Sequence, residues 1–227
     1  PLGKRRLLED LKAGLQDARF TDFRLVVAYA KTGPLYRLQE LLEQWRRDGK
    51  TSSAILGFDQ QGTSKEALEL ALSLFDSVYV VQEAGITFHP KIYLFKGEHH
   101  AEVFIGSNNL TVGGTEKNFE TAIDLELDLP TDSAYLNLLE TSWSELLPDS
   151  CSSSIQLNSA GLAQLTKENL VVAETAMYYG PGRGNTTRIG RARRSGLLVK
   201  PESPLPKARS AALAAITQYP STQPIAE

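Results

Sequence analysis

His89 and Lys91 stand two residues apart in the stretch Phe88-His-Pro-Lys-Ile-Tyr-Leu-Phe95. In an extended strand such neighbours point to one face, so an imidazole and an ammonium project together. Pro90 between them has no N–H for a ladder and suits the first residues of a strand. The following strand, through Val103-Phe104-Ile105, ends in Gly106-Ser107-Asn108-Asn109, a turn that can aim short polar side chains. Glu120, within Asn118-Phe-Glu120, opens a further apolar strand. A nucleophilic base, a cation, neutral donors and one carboxylate thus fall within residues 88–120. That set suits phosphoryl transfer through histidine.

These residues need a scaffold. The spacing predicts a helix over Leu2–Arg19, apolar at Leu7, Leu8, Leu11 and Leu15. Phe23–Lys31 reads as a buried strand, broken by Gly33-Pro34. A helix over Leu35–Asp48 follows, with Gly49 as its C-terminal cap. Ala54–Phe58 is a second strand, Thr63–Phe75 a helix capped by Thr63 or Ser64, and Ser77–Val81 a third strand. Such alternation implies a parallel sheet covered by helices. The pattern then changes to a hairpin, Lys91–Lys96 with Ala101–Ile105, a strand over Thr121–Leu129 and a helix over Ser133–Leu147, capped by Thr131 or Asp132 and with a core stripe at Tyr135, Leu138, Leu139, Trp143 and Leu146. The expected fold is therefore α/β, with a mixed, largely parallel sheet flanked by helices. After Pro148 the signal weakens to a short helix at Ser159–Glu168 and a short strand at Leu170–Ala173. We expect one domain over 1–175. Residues 176–227 read as a basic Gly/Pro/Arg-rich linker or extension toward a further domain, with a short helix in Ala208–Thr217.

With 227 residues, 41% of them apolar, the chain can bury a full core. Its apolar runs are too short to cross a bilayer, and no signal segment is expected at its start. The single cysteine, Cys151, excludes an internal disulfide and a Cys-based zinc site, and a cytoplasmic setting is the simpler expectation. Net charge is −3 but uneven: residues 183–227 hold eight basic and two acidic groups, which leaves a body about nine charges negative. Such a body is a poor generic polyanion binder, so if the protein acts on DNA, tight binding needs the basic tail, a local cationic groove, or another domain or subunit.

His89-x-Lys91 followed by Gly106-Ser107-x-Asn109 resembles the phospholipase D superfamily. Lys96 stands where an acidic residue often follows the lysine, and Glu120 looks like the substitute carboxylate. That variant is similar to the single-motif nuclease branch, which includes metal-independent type II restriction endonucleases. The resemblance implies a DNA phosphodiesterase of a restriction or defence system, needing no cofactor. It implies that His89 attacks phosphorus to form a phosphohistidine, and that Glu120 accepts a hydrogen bond from the other ring nitrogen. Lys91, Asn109 and Ser107 would hold the non-bridging oxygens. One motif per chain implies a homodimer that pairs two His89 side chains. A sequence-recognition domain or a helicase/translocase subunit would be a further partner.

Other residues read more blandly. Asn108 is a turn residue; Asn118 either shapes its loop or touches DNA. His99 and His100 belong to a solvated hairpin tip, Lys96 to a strand-end surface, and Trp45 and Trp143 to the core. Arg183, Arg188, Arg191, Arg193 and Arg194 form either a solvated linker or a phosphate-contacting segment. Gly180-Pro-Gly-Arg-Gly184 lacks the Lys-Ser/Thr ending of a nucleotide loop. Two alternatives stand beside the nuclease: a phospholipid or other phosphodiester hydrolase, and a catalytically inactive dimerisation or DNA-binding module. The absence of an amphipathic membrane segment and of a second motif counts against the first. The intact His89, Lys91, Asn109, Glu120 set counts against the second.

Overall fold

The computed structural model of the chain describes residues 6–83 and 85–175. They belong to one compact unit, Pro1–Gly180; a second, Pro181–Glu227, lies outside the described residues, as do the five arginines at 183–194 and the helix expected in Ala208–Thr217.

Five α-helices and seven strands frame the described unit in the order α1 (Leu7–Gln16), β1 (Phe20–Val27), α2 (Thr32–Arg47), β2 (Thr51–Gly57), α3 (Lys65–Leu74), β3 (Ser77–Val81), β4 (Lys91–Gly97), β5 (His100–Gly106), β6 (Ala122–Asp128), α4 (Ser133–Glu145), β7 (Ser154–Gln156) and α5 (Ser159–Lys167). The strands form one sheet in the order β6-β5-β4-β1-β2-β3-β7. β1, β2 and β3 are parallel, while β4, β5, β6 and β7 join by antiparallel pairing. Alternation along each strand gives two apolar faces. Phe23, Leu25, Val27, Leu56, Val80, Tyr93, Phe95 and Phe104 share the larger core with α1, α2, α3 and α5. Val26, Ile55, Val81, Leu94 and Val103 face the other way, toward α4.

Local chemistry explains most boundaries. Ser64 caps α3 by accepting from the Ala67 N–H, and Gly49 takes the left-handed conformation after α2. Gly33-Pro34, expected to break the first strand, instead lies in the first turn of α2, where proline's missing N–H costs nothing. β1 accordingly runs Phe20–Val27, shifted from the expected Phe23–Lys31. Leu170–Ala173 is not a strand; Val172 accepts from Lys65 N–H, and Val171 is buried under the larger core. The edge strand β7 was not legible in its Ser-rich segment. On α4, Tyr135 and Leu138 are exposed although their spacing marked them as core. Lys96, expected on a solvated strand end, donates to Glu140 of α4 at 2.7 Å, and Glu140 also holds Arg24.

Candidate active site

The hairpin β4–β5 and strand β6 bring the chemistry to one end of the sheet. Ile92 pairs with Ile105, so Lys91 lies beside Gly106; Gly106 in turn pairs with Ala122, which brings Glu120 beside Ser107. A Cβ on Gly106 would sit 2.1 Å from the Thr121 carbonyl oxygen, so only glycine lets β6 approach the turn this closely.

The segment before β4 is held from two sides. Ala28 N–H donates to the Pro90 carbonyl at 2.9 Å, and Phe88 N–H donates to the buried Asp59 carboxylate at 2.8 Å. Tyr29 meets the His89 ring edge-on, with centroids 6.3 Å apart. Lys91 is 5% exposed and shares its strand face with Tyr93 and Phe95. Its Nζ lies 2.8 Å from His89 Nδ1 and 2.9 Å from the His89 carbonyl oxygen. An ammonium can only donate, so Nδ1 presents a lone pair and we assign the neutral ring's proton to Nε2. Burial depresses the Lys91 pKa below the usual lysine value, and the charge of Glu120 opposes that fall.

The turn after β5 is braced from beneath. The Tyr93 hydroxyl donates to the Asn108 carbonyl at 2.9 Å, and Asn108 Nδ2 donates to the Gly114 carbonyl at 2.7 Å. Asn108 is therefore a turn residue, as its position in the motif predicts. Burial pushes the Tyr93 phenol far up, so it stays protonated and able to donate. Asn109 Oδ1 accepts from the Tyr29 N–H at 3.2 Å, which leaves its NH2 group as the donor on offer.

Glu120 accepts from the Ser107 hydroxyl and, at 3.1 Å, from Asn118 Nδ2. Two expectations change here. The hydrogen bond from His89 to Glu120 is not formed; Ser107 and Asn118 occupy the carboxylate. Ser107, expected as a phosphate ligand, has one O–H and commits it to Glu120, while its oxygen accepts from the Thr121 N–H at 3.0 Å. Asn118, left open between loop and DNA, spends its amide on Glu120.

Asp59, Tyr29 and Tyr93 support the site without belonging to any motif. Asp59 follows β2 at the carboxyl end of a parallel strand, where open α/β sheets place their ligands, and that was its one legible signal. A further layer comes from Thr63, whose hydroxyl accepts from Ala30 N–H, and from Glu174. The Glu174 carboxylate accepts from the Thr32 N–H and hydroxyl and from the Ser64 hydroxyl, joining the starts of α2 and α3. His99 and His100 lie at the β4–β5 turn, His100 beside Asp128 at 3.1 Å. Among the described residues no group of three or more His, Cys, Asp or Glu is arranged to hold a metal ion, and no helix is long and apolar enough to cross a membrane.

The family described as the NgoFVII restriction endonuclease N-terminal phospholipase D (PLD) domain matches residues 22–156, more than half of the chain and all of the His89–Glu120 segment. The chain belongs to this family. It is thus a member of the nuclease branch of the phospholipase D superfamily, and its mixed sheet is the phospholipase D-like fold. Among solved structures it is similar to Nuc of Salmonella typhimurium, a phospholipase D family member, at 16% identity over 66% of this chain and 91% of that one, with a TM-score of 0.46. NucT of Helicobacter pylori is similar at 16% identity over the same shares, with a TM-score of 0.47. The phosphatidylserine synthase of Haemophilus influenzae Rd KW20 is similar at 12% identity over 74% of this chain and 43% of that one, with a TM-score of 0.51, which shows a common fold. No curated protein sequence matches.

Proposed function

We propose that this PLD-type domain is a DNA endonuclease of a restriction system that cleaves through a phosphohistidine on His89, works as a homodimer and needs no metal. The observation that carries the reading is the contact of Lys91 Nζ with His89 Nδ1 at 2.8 Å, inside the segment that matches the restriction-endonuclease family.

The chemistry follows from the donors. An incoming phosphodiester offers Lys91 a better acceptor than an imidazole, so the ammonium moves to a non-bridging oxygen and frees the ring's lone pair. Neutral His89 attacks phosphorus, and the bond to the leaving oxygen breaks. That oxygen takes a proton from the protonated His89 of the partner subunit. The partner's imidazole, now neutral, takes a proton from water, whose oxygen attacks the phosphohistidine and releases His89. Lys91 and the Asn109 amide hold the charge that builds on the non-bridging oxygens. Glu120, fixed by Ser107 and Asn118, supplies the negative charge that opposes the effect of burial on Lys91 and favours its ammonium form. Positive charge thus comes from side chains, which is why no metal is required.

The test is plasmid cleavage in excess EDTA, with trapping of labelled phosphate on the protein. Cleavage that survives chelation, label on His89, and loss of both in His89→Ala support the reading. Strict metal dependence, or a monomer with full activity by light scattering, refutes it.

A further inference from the structure

Beside the site lies a turn whose backbone is held in an uncommon conformation. After β2 the chain runs Asp59-Gln60-Gln61-Gly62, and both glutamines have positive φ, 51° and 57°. Asn169 is the one other non-glycine residue with positive φ among the described residues. A Cβ makes this conformation costly, and where such turns occur Asn, Asp or Gly is the usual choice. Two consecutive glutamines there are held by their surroundings. Asp59 is tied to the Phe88 N–H, and a Cβ on Gly62 would overlap the Tyr29 ring, the same ring that meets His89. Strain that is over-determined in this way, at the edge of a site, points to a conformation kept for use.

Both glutamines are exposed. Gln60 lines a cleft with Gln82, Glu83, Ile86 and Thr87. Thr87 is two residues from His89, a span of about 7 Å, roughly the axial rise of two base pairs. Among the residues lining this cleft there is no lysine or arginine, and Asp59 and Glu83 are acidic. It is therefore ill suited to phosphates. Carboxamides carry both a donor and an acceptor, the pattern that pairs with base edges and with adenine best of all.

We propose that the Asp59–Gly62 turn presents Gln60 and Gln61 to the edges of the bases flanking the scissile phosphate, giving cleavage a local base preference. This rests on the endonuclease reading above.

The test uses Gln60→Gly together with Gln61→Gly, which removes both amides and relieves the backbone, so the fold is not endangered. Wild type and variant are compared on duplex oligonucleotides differing at the bases beside the cut, and on bis(p-nitrophenyl) phosphate, which has no base. The ratio of DNA cleavage to small-diester hydrolysis, in kcat/KM, is expected to fall about tenfold or more, and differences between oligonucleotides to flatten. An unchanged ratio with active wild type overturns the proposal alone. Equal losses on both substrates show a structural role and also overturn it. Wild type that hydrolyses the small diester but leaves every DNA uncut overturns the endonuclease reading together with the proposal.

Discussion

Lys91 Nζ bridges two atoms of His89, 2.8 Å from Nδ1 and 2.9 Å from the carbonyl oxygen. The cation is thus stored on the nucleophile itself, and must be charged to leave it for a phosphate. Burial lowers the Lys91 pKa, and Glu120 resists. The alkaline limb of kcat/KM against pH should therefore fall below the usual lysine value of 10.5. Glu120→Gln removes the resisting charge and should move that limb lower still. A limb at or above 10.5, or one that Glu120→Gln leaves in place, speaks against this assignment. Lys91→Ala should cost about a hundredfold or more in kcat, read under single turnover.

Ser107 and Glu120 should behave as one unit. The hydroxyl donates to the carboxylate and accepts from the Thr121 N–H, so it orients Glu120 rather than the substrate. Ser107→Ala should lower kcat with little change in KM. In a double-mutant cycle with Glu120→Gln, the coupling should reach about 0.5–3 kcal/mol of activation free energy. Additive losses would mean that Ser107 binds phosphate independently, as the motif alone implied.

Gly106→Ala tests the close approach of β6. The added methyl would sit 2.1 Å from the Thr121 carbonyl, a backbone atom that cannot swing aside. Thermal unfolding should show a loss of about 1–3 kcal/mol, as overpacking usually gives. Activity should fall further, because Ser107 and Glu120 would move apart. A variant with wild-type stability and rate would show that the strands have slack.

How much of this was legible beforehand follows from what carries each signal. Period and turn chemistry are local, so β3 and α5 fall where the spacing put them, and the hairpin closes at Glu98-His99 as its turn residues implied. The His89–Lys91 proximity was readable from their two-residue spacing at the entry to β4, although the strand itself begins only at Lys91. The partner of Glu120 was not, because nothing in the sequence says which donor reaches a carboxylate first. Asp59, Tyr93 and Glu174 act across the sheet or between helix starts, and no periodicity records such contacts. Tyr135 and Leu138 mislead for a related reason: helical spacing marks an apolar face without saying how far the sheet beneath it extends.

The pairing of α4 with the sheet should make stability pH-dependent. Arg24 is held between Asp22 at 2.6 Å and Glu140 at 2.5 Å, under the ring of Trp143, and Lys96 reaches Glu140 from β4. Burial alone would raise the Glu140 pKa; the Lys96 hydrogen bond and the Arg24 charge outweigh it and hold the carboxyl below its usual value. A carboxyl whose folded pKa lies below its unfolded one contributes stability in full above the unfolded pKa. That contribution is lost as pH falls through the folded pKa. Glu140→Gln should therefore cost about 1–2 kcal/mol at neutral pH, discounted because the pair is partly solvated. The gap between wild type and variant should close in acid, because protonated Glu140 and glutamine are alike in charge. Denaturant unfolding at a series of pH values reads this directly. A gap that stays constant through the acid range would mean that α4 is anchored by its apolar contacts, with the ion network contributing nothing.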